Sequence, residues 1–114
     1  MTISTHVLDA ATGRPASGVD LRLLRLEGAD LHDATEIGSG TTNDDGRCPE
    51  LTDAVDLAAG VYRLRFETGA WFARSGTRTF YPVVEITFEV VDASSHHHVP
   101  LLLSPFAYST YRGS

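Results

Sequence analysis

Three consecutive histidines, His96-His97-His98, are the densest run of reactive side chains in the sequence. On an extended strand successive side chains point to opposite faces, so His96 and His98 share one face and His97 takes the other. A His-x-His pair suits zinc, and His6, in ISTHVLD, offers a third imidazole. Against a metal centre, no carboxylate or cysteine stands near these histidines at a matching spacing. A neutral imidazole is equally the natural general base near about pH 7. The third reading is plain strand packing, in which none of these rings does chemistry. Residue types alone leave all three open.

Arg47 lies in TTNDDGRCPEL, where Asp44, Asp45 and Gly46 make a turn. An arginine there can pair with a neighbouring aspartate, a contact worth little at a surface. It can also aim its planar guanidinium fork at a flat anionic or multi-carbonyl ligand. Cys48 is the single cysteine, so the chain has neither an internal disulfide nor a cysteine-rich zinc cluster. It reads as a small apolar turn residue rather than a nucleophile. The final stretch, HHHVPLLLSPFAYSTYRGS, follows the histidines with an apolar run and then Phe106, Tyr108 and Tyr111. That is strand chemistry with enough aromatic surface to pack rather than fray.

Composition removes several partners. The net charge is −6, and all nine basic residues are arginines. Nucleic acid is not expected, because phosphate neutralisation wants a basic face. MTISTHVLDA has no basic or long apolar region of a secretory signal, and no apolar stretch is long enough to span a membrane. The last three residues are not a peroxisomal address. A cytoplasmic protein is therefore expected.

Strands must hold these residues. VDLRLLRLE places Val19, Leu21 and Leu23 on one face and Leu24 and Leu26 on the other. GVYRLRFETG sets Tyr62, Leu64 and Phe66 against Val61, Arg63 and Arg65, and VVEITFEVVD turns Val84, Ile86 and Phe88 inward. THVLDA, HVPLLLS and AYSTYRG read as three further strands, with turns at ATGRPASG, NDDGR, DLAAG and DASS between the strands. The spacing predicts one antiparallel β-sandwich domain over residues 1–114. AWFARSG breaks the alternation and predicts a short helix ended by Gly76.

THVLD, DGRCP, TFYPVVEITF and HVPLLLSP…YSTYRGS, in that order along nearly the whole chain, resemble the 5-hydroxyisourate hydrolases, transthyretin-like enzymes of urate breakdown. The terminal Tyr-Arg-Gly-Ser is the most specific element, since it separates these hydrolases from the hormone carriers of the same fold. The resemblance implies an all-β sandwich of two four-stranded sheets with one short helix, assembled as a homotetramer with sites at the dimer–dimer interface. It implies that His6, Arg47, His98 and Ser114 are catalytic and that Tyr111 helps His6 and Arg47 to bind substrate. No metal and no cofactor are implied. Two departures stand out: His97 replaces the usual tyrosine of a His-Tyr-His element, and Phe106-Ala107 replaces Tyr-Gly.

The implied reaction opens the six-membered ring of 5-hydroxyisourate by adding water at a ring carbonyl, giving 2-oxo-4-hydroxy-4-carboxy-5-ureidoimidazoline. His6 and His98 would activate water and move protons. Arg47 would bind substrate oxygens and stabilise developing charge. Ser114 would orient water, substrate or a histidine through its hydroxyl or a terminal carboxylate. The competing expectation is a non-catalytic transthyretin-like protein that binds a small ligand.

Overall fold

Tyr62, Leu64 and Phe66 are fully buried, while Val61, Arg63 and Arg65 between them remain partly open. Burying one face of each strand, at about 1.5–3 kcal/mol per large apolar side chain, selects two sheets packed face to face. The computed structural model describes residues 2–52 and 57–114. Asp56, which opens the DLAAG turn read from the sequence, lies outside them.

The strands are β1 (Ile3–Asp9), β2 (Arg14–Pro15), β3 (Asp20–Glu27), β4 (Asp33–Thr41), β5 (Gly60–Phe66), β6 (Val84–Val90), β7 (His97–Ser104) and β8 (Ala107–Thr110). One sheet has the order β2-β1-β7-β8 and the other β4-β3-β5-β6. Register stacks the apolar rows: Leu23 lies beside Leu64 and Leu64 beside Ile86, with Leu21, Phe66 and Val84 in the next row. Ile3, Val7, Val99, Leu101 and Leu103 meet them from the other sheet. On the outer face of the second sheet, Arg65 pairs with Glu67 at 2.9 Å and Glu85 at 3.5 Å.

The sandwich is antiparallel except at one pair. β1 and β7 run parallel, with Ser4 beside His98 and His6 beside Pro100. This pairing lays residues from the two ends of the chain on one outer face, in alternation with the buried Thr5, Val7, Val99 and Leu101.

The helix α1 spans Thr68–Ala73, two residues earlier than the sequence suggests. Buried Phe72 fixes it to the core, the Trp71 indole donates to the Ser17 carbonyl at 2.7 Å, and the turn after it reaches Gly76 at φ +65°. Two strands escape the pattern read from sequence. β2 is only two residues long, and β4 buries none of its side chains fully. Gly38 and Gly40 of β4 let the short turn Pro49–Thr52 and Cys48 approach. A methyl on Gly38 would lie 2.1 Å from the Leu51 carbonyl oxygen, and one on Gly40 would lie 2.5 Å from Cys48 Sγ. Buried Cys48 and Leu51 thereby clamp the chain that follows Arg47.

Candidate active site

The outer face of β1 and β7 gathers most of the residues singled out above. His6 is half-buried on β1, and Arg47 forms a single antiparallel bridge with it. The hairpin that makes this bridge is organised by Asn43. Its side-chain oxygen accepts from the Asp45 and Arg47 amides at 2.9 and 3.0 Å, and its own amide donates to the Arg47 carbonyl at 2.7 Å. The Val7 amide donates to the Gly46 carbonyl at 2.7 Å, which locks the hairpin onto β1. Gly46 sits at φ +76°, and a methyl there would lie 2.3 Å from the Val7 carbonyl oxygen, so glycine satisfies both the backbone and the contact. Asp44 accepts from Ser17 Oγ at 3.1 Å, and no carboxylate among the described residues pairs with Arg47. Its guanidinium is exposed and uncommitted to any acid.

His98 faces Ser4 across the parallel pair, with Ser4 Oγ 2.7 Å from His98 Nδ1. Ser4 Oγ also lies 2.9 Å from His96 Nε2, and Thr2 Oγ1 lies 2.5 Å from His96 Nδ1. The His96 and His98 rings are nearly parallel, with centroids 6.4 Å apart. Burial pushes the His98 pKa below the ordinary histidine value, and the nearby Arg47 guanidinium, with lesser repulsion from the His96 and His6 rings when protonated, lowers it further. An imidazole held neutral beside a permanent cation is a poised general base next to an anion stabiliser.

The C-terminal segment closes over the same ring. After β8 ends at Thr110, the Gly113 amide donates to the His98 carbonyl at 2.8 Å. A methyl on Gly113 would lie 2.4 Å from His98 Cδ2. Ser114 follows directly and is exposed. Tyr111, 61% exposed, lines a cavity of about 340 Å3 together with His98, Arg112 and the Ile86–Glu89 stretch of β6. The structure thus places His6 and Arg47 together with His98 nearby, sets Ser114 beside the residue that covers His98, and leaves Tyr111 on the wall of a cavity that His98 and His97 line but His6, Arg47 and Ser114 do not.

His97 points to the opposite face, as alternation requires. It is buried, and its Nδ1–H donates to the Ser95 carbonyl at 3.0 Å. Among the described residues, no three His, Cys, Asp or Glu side chains are placed to hold a metal ion together. The hydroxyls of Thr2 and Ser4 occupy both nitrogens of His96 and one of His98. Ser4, Asn43 and Gly113 act through contacts that their residue types alone do not reveal. The Ser-x-His spacing of Ser4 and His6 was the one available signal, since it puts both on one face of a strand.

The HIUase/Transthyretin family model matches residues 3–113. The 5-hydroxyisourate hydrolase of Mus musculus is 46% identical over 112 residues, covering 98% of this chain and 94% of the mouse protein. Among solved structures, the Klebsiella pneumoniae 5-hydroxyisourate hydrolase superposes with a TM-score of 0.85 at 42% identity, covering both chains completely. Sea bream transthyretin in complex with thyroxine gives a TM-score of 0.89 at 33% identity, over 99% of this chain and 95% of the other. The chain belongs to the HIUase/transthyretin family.

Proposed function

We propose that this protein is a hydrolase that opens the cyclic amide of 5-hydroxyisourate, giving 2-oxo-4-hydroxy-4-carboxy-5-ureidoimidazoline in urate catabolism. The observation that carries the reading is His98, kept neutral by burial and by neighbouring cations, on one face with His6 and Arg47. The likeness to hydrolases at 41–46% identity over nearly the whole chain supports it.

In this reading His98, with His6 beside it, takes a proton from water as the oxygen attacks the ring carbonyl. Arg47 holds the substrate oxygens through its fork and offsets the negative charge that grows on the carbonyl oxygen. The C–N bond then breaks, and the departing nitrogen takes a proton from a histidine. Ser114 orients the reactants, and Tyr111 forms a wall. A carrier of the transthyretin type would share the sandwich, but it would have no use for a neutral base set beside an arginine.

The site as one chain builds it is shallow, with Arg47, Tyr111 and Ser114 exposed. Phe106 and Tyr108 are also open, and Leu8 and Leu102 sit half-buried on the same outer face as His6 and His98. These features support a homotetramer in which a second copy closes the site against solvent. Among the described residues no helix is long and apolar enough to cross a membrane. A cytoplasmic location completes the reading.

The test is a coupled assay in which urate oxidase generates 5-hydroxyisourate and its ultraviolet absorbance is followed with and without the protein, each with and without chelator. Accelerated decay indifferent to chelator is expected. Decay no faster than the spontaneous rate would move the protein to the carrier class, and acceleration abolished by chelator would replace the mechanism.

A further inference from the structure

Thr2, Ser4, His96 and His98 form an unbroken line of side-chain contacts: Thr2 Oγ1 to His96 Nδ1, His96 Nε2 to Ser4 Oγ, and Ser4 Oγ to His98 Nδ1. A serine hydroxyl has one proton to donate, so Ser4 can donate to only one of its two imidazoles at a time. With both rings neutral, the other must donate to Ser4. The two tautomers are therefore coupled through one oxygen, and the line has two polarities.

In the first, His98 Nδ1–H donates to Ser4, Ser4 donates to His96 Nε2, and His96 Nδ1–H donates to Thr2. His98 Nε2 then presents a lone pair, the form a general base needs. In the second every bond reverses, and His98 Nε2 carries a proton, the form a general acid needs. The far end of the line is open to water, because Thr2 and His96 are exposed while His98 is partly buried.

We propose that Ser4 is a positioning residue whose hydroxyl sets the His98 tautomer and links it to His96, making Thr2-His96-Ser4-His98 a reversible proton relay for the hydrolysis. The proposal rests on the function proposed above. The protons balance. The attacking water gives one to His98 Nε2 as its oxygen bonds to the carbonyl carbon. The Nδ1 proton of His98 moves to Ser4, that of Ser4 to His96 Nε2, that of His96 Nδ1 to Thr2, and one leaves Thr2 for solvent. When the C–N bond breaks, Nε2 gives its proton to the departing nitrogen, and the line runs backward with one proton re-entering from solvent. His6 on β1, Arg47 on the hairpin and His96 before β7 are the charged or titratable groups acting on His98, and Glu89 and Arg112 share its cavity wall. Arg47, which is charged throughout, favours a neutral ring, whose tautomer Ser4 can then choose.

The test compares the full-length protein with Ser4→Ala and Ser4→Thr by long-range proton–nitrogen correlation spectra of the histidines, at about pH 8 where histidine is ordinarily neutral. Turnover is measured across pH in parallel. The wild-type His98 should show one dominant tautomer. Ser4→Ala should move its two nitrogen shifts toward each other, displace the pH profile and lower kcat about tenfold or more, with KM changed less. Ser4→Thr, which keeps the hydroxyl and suits a strand, should restore all three. Unchanged His98 shifts in Ser4→Ala would overturn the inference. So would changed shifts with an unaltered kcat and pH profile, or failure of Ser4→Thr to restore them. The spectra need no substrate, so they judge the tautomer link even if the protein proves not to hydrolyse 5-hydroxyisourate.

Discussion

Gly113 lies against the His98 ring so closely that a single methyl on it would come within 2.4 Å of Cδ2, while its amide donates to the His98 carbonyl at 2.8 Å. The C-terminal segment is thereby a lid on the proposed base. Gly113→Ala should push either the ring or the segment aside. We expect turnover to fall about tenfold or more, since small misplacements of catalytic groups are costly, with little change in thermal stability. Activity within twofold of wild type would show that the ring can yield without loss.

Gly46 plays the matching part for Arg47. Its φ of +76° and its closeness to the Val7 carbonyl leave no room for a side chain. Gly46→Ala should cost about 1 kcal/mol or more from the backbone alone, with the clash adding to it. It should also displace Arg47 from His6. Thermal unfolding and turnover should therefore both fall, unlike the pattern at Gly113.

Arg47→Lys should lower turnover about a hundredfold, because an ammonium cannot reproduce the two-pronged contact of a guanidinium. Full activity in that variant would mean that only the charge matters.

His98 titrates below the ordinary histidine value because it is buried and lies near the Arg47 guanidinium and the His96 and His6 rings, which repel a proton on it when they carry charge. Arg47→Gln removes one of those charges, so the His98 pKa followed by NMR should rise. The sign for stability follows from the same shift. The unfolded chain takes up the proton first, so this group's contribution is complete above about pH 6.5 and is lost as pH falls toward the lowered folded pKa. A His98 pKa that fell in Arg47→Gln would contradict the electrostatic account.

How much of this was legible in the sequence depends on what each residue faces. β3, β5 and β6 could be read because Leu21, Leu64 and Ile86 alternate with charged or polar neighbours on half-buried strands. β4 could not, since DATEIGSGT has no apolar face and its glycines serve close approach rather than packing. His6, Arg47 and His98 were recognisable as residue types, and resemblance supplied their association. Ser4 was not, because its partner stands 94 residues away and is reached only through the parallel pairing of β1 with β7. Gly113 was invisible for a similar reason: its value lies in the ring it covers.

The most direct measurement is the decay of enzymatically generated 5-hydroxyisourate in the presence of wild-type protein and His98→Ala, matched for concentration and assembly state. The account predicts rapid decay with wild type and a loss of about a hundredfold to ten-thousandfold in the variant. Equal rates for the two proteins would remove His98 from the chemistry and contradict the account at its centre.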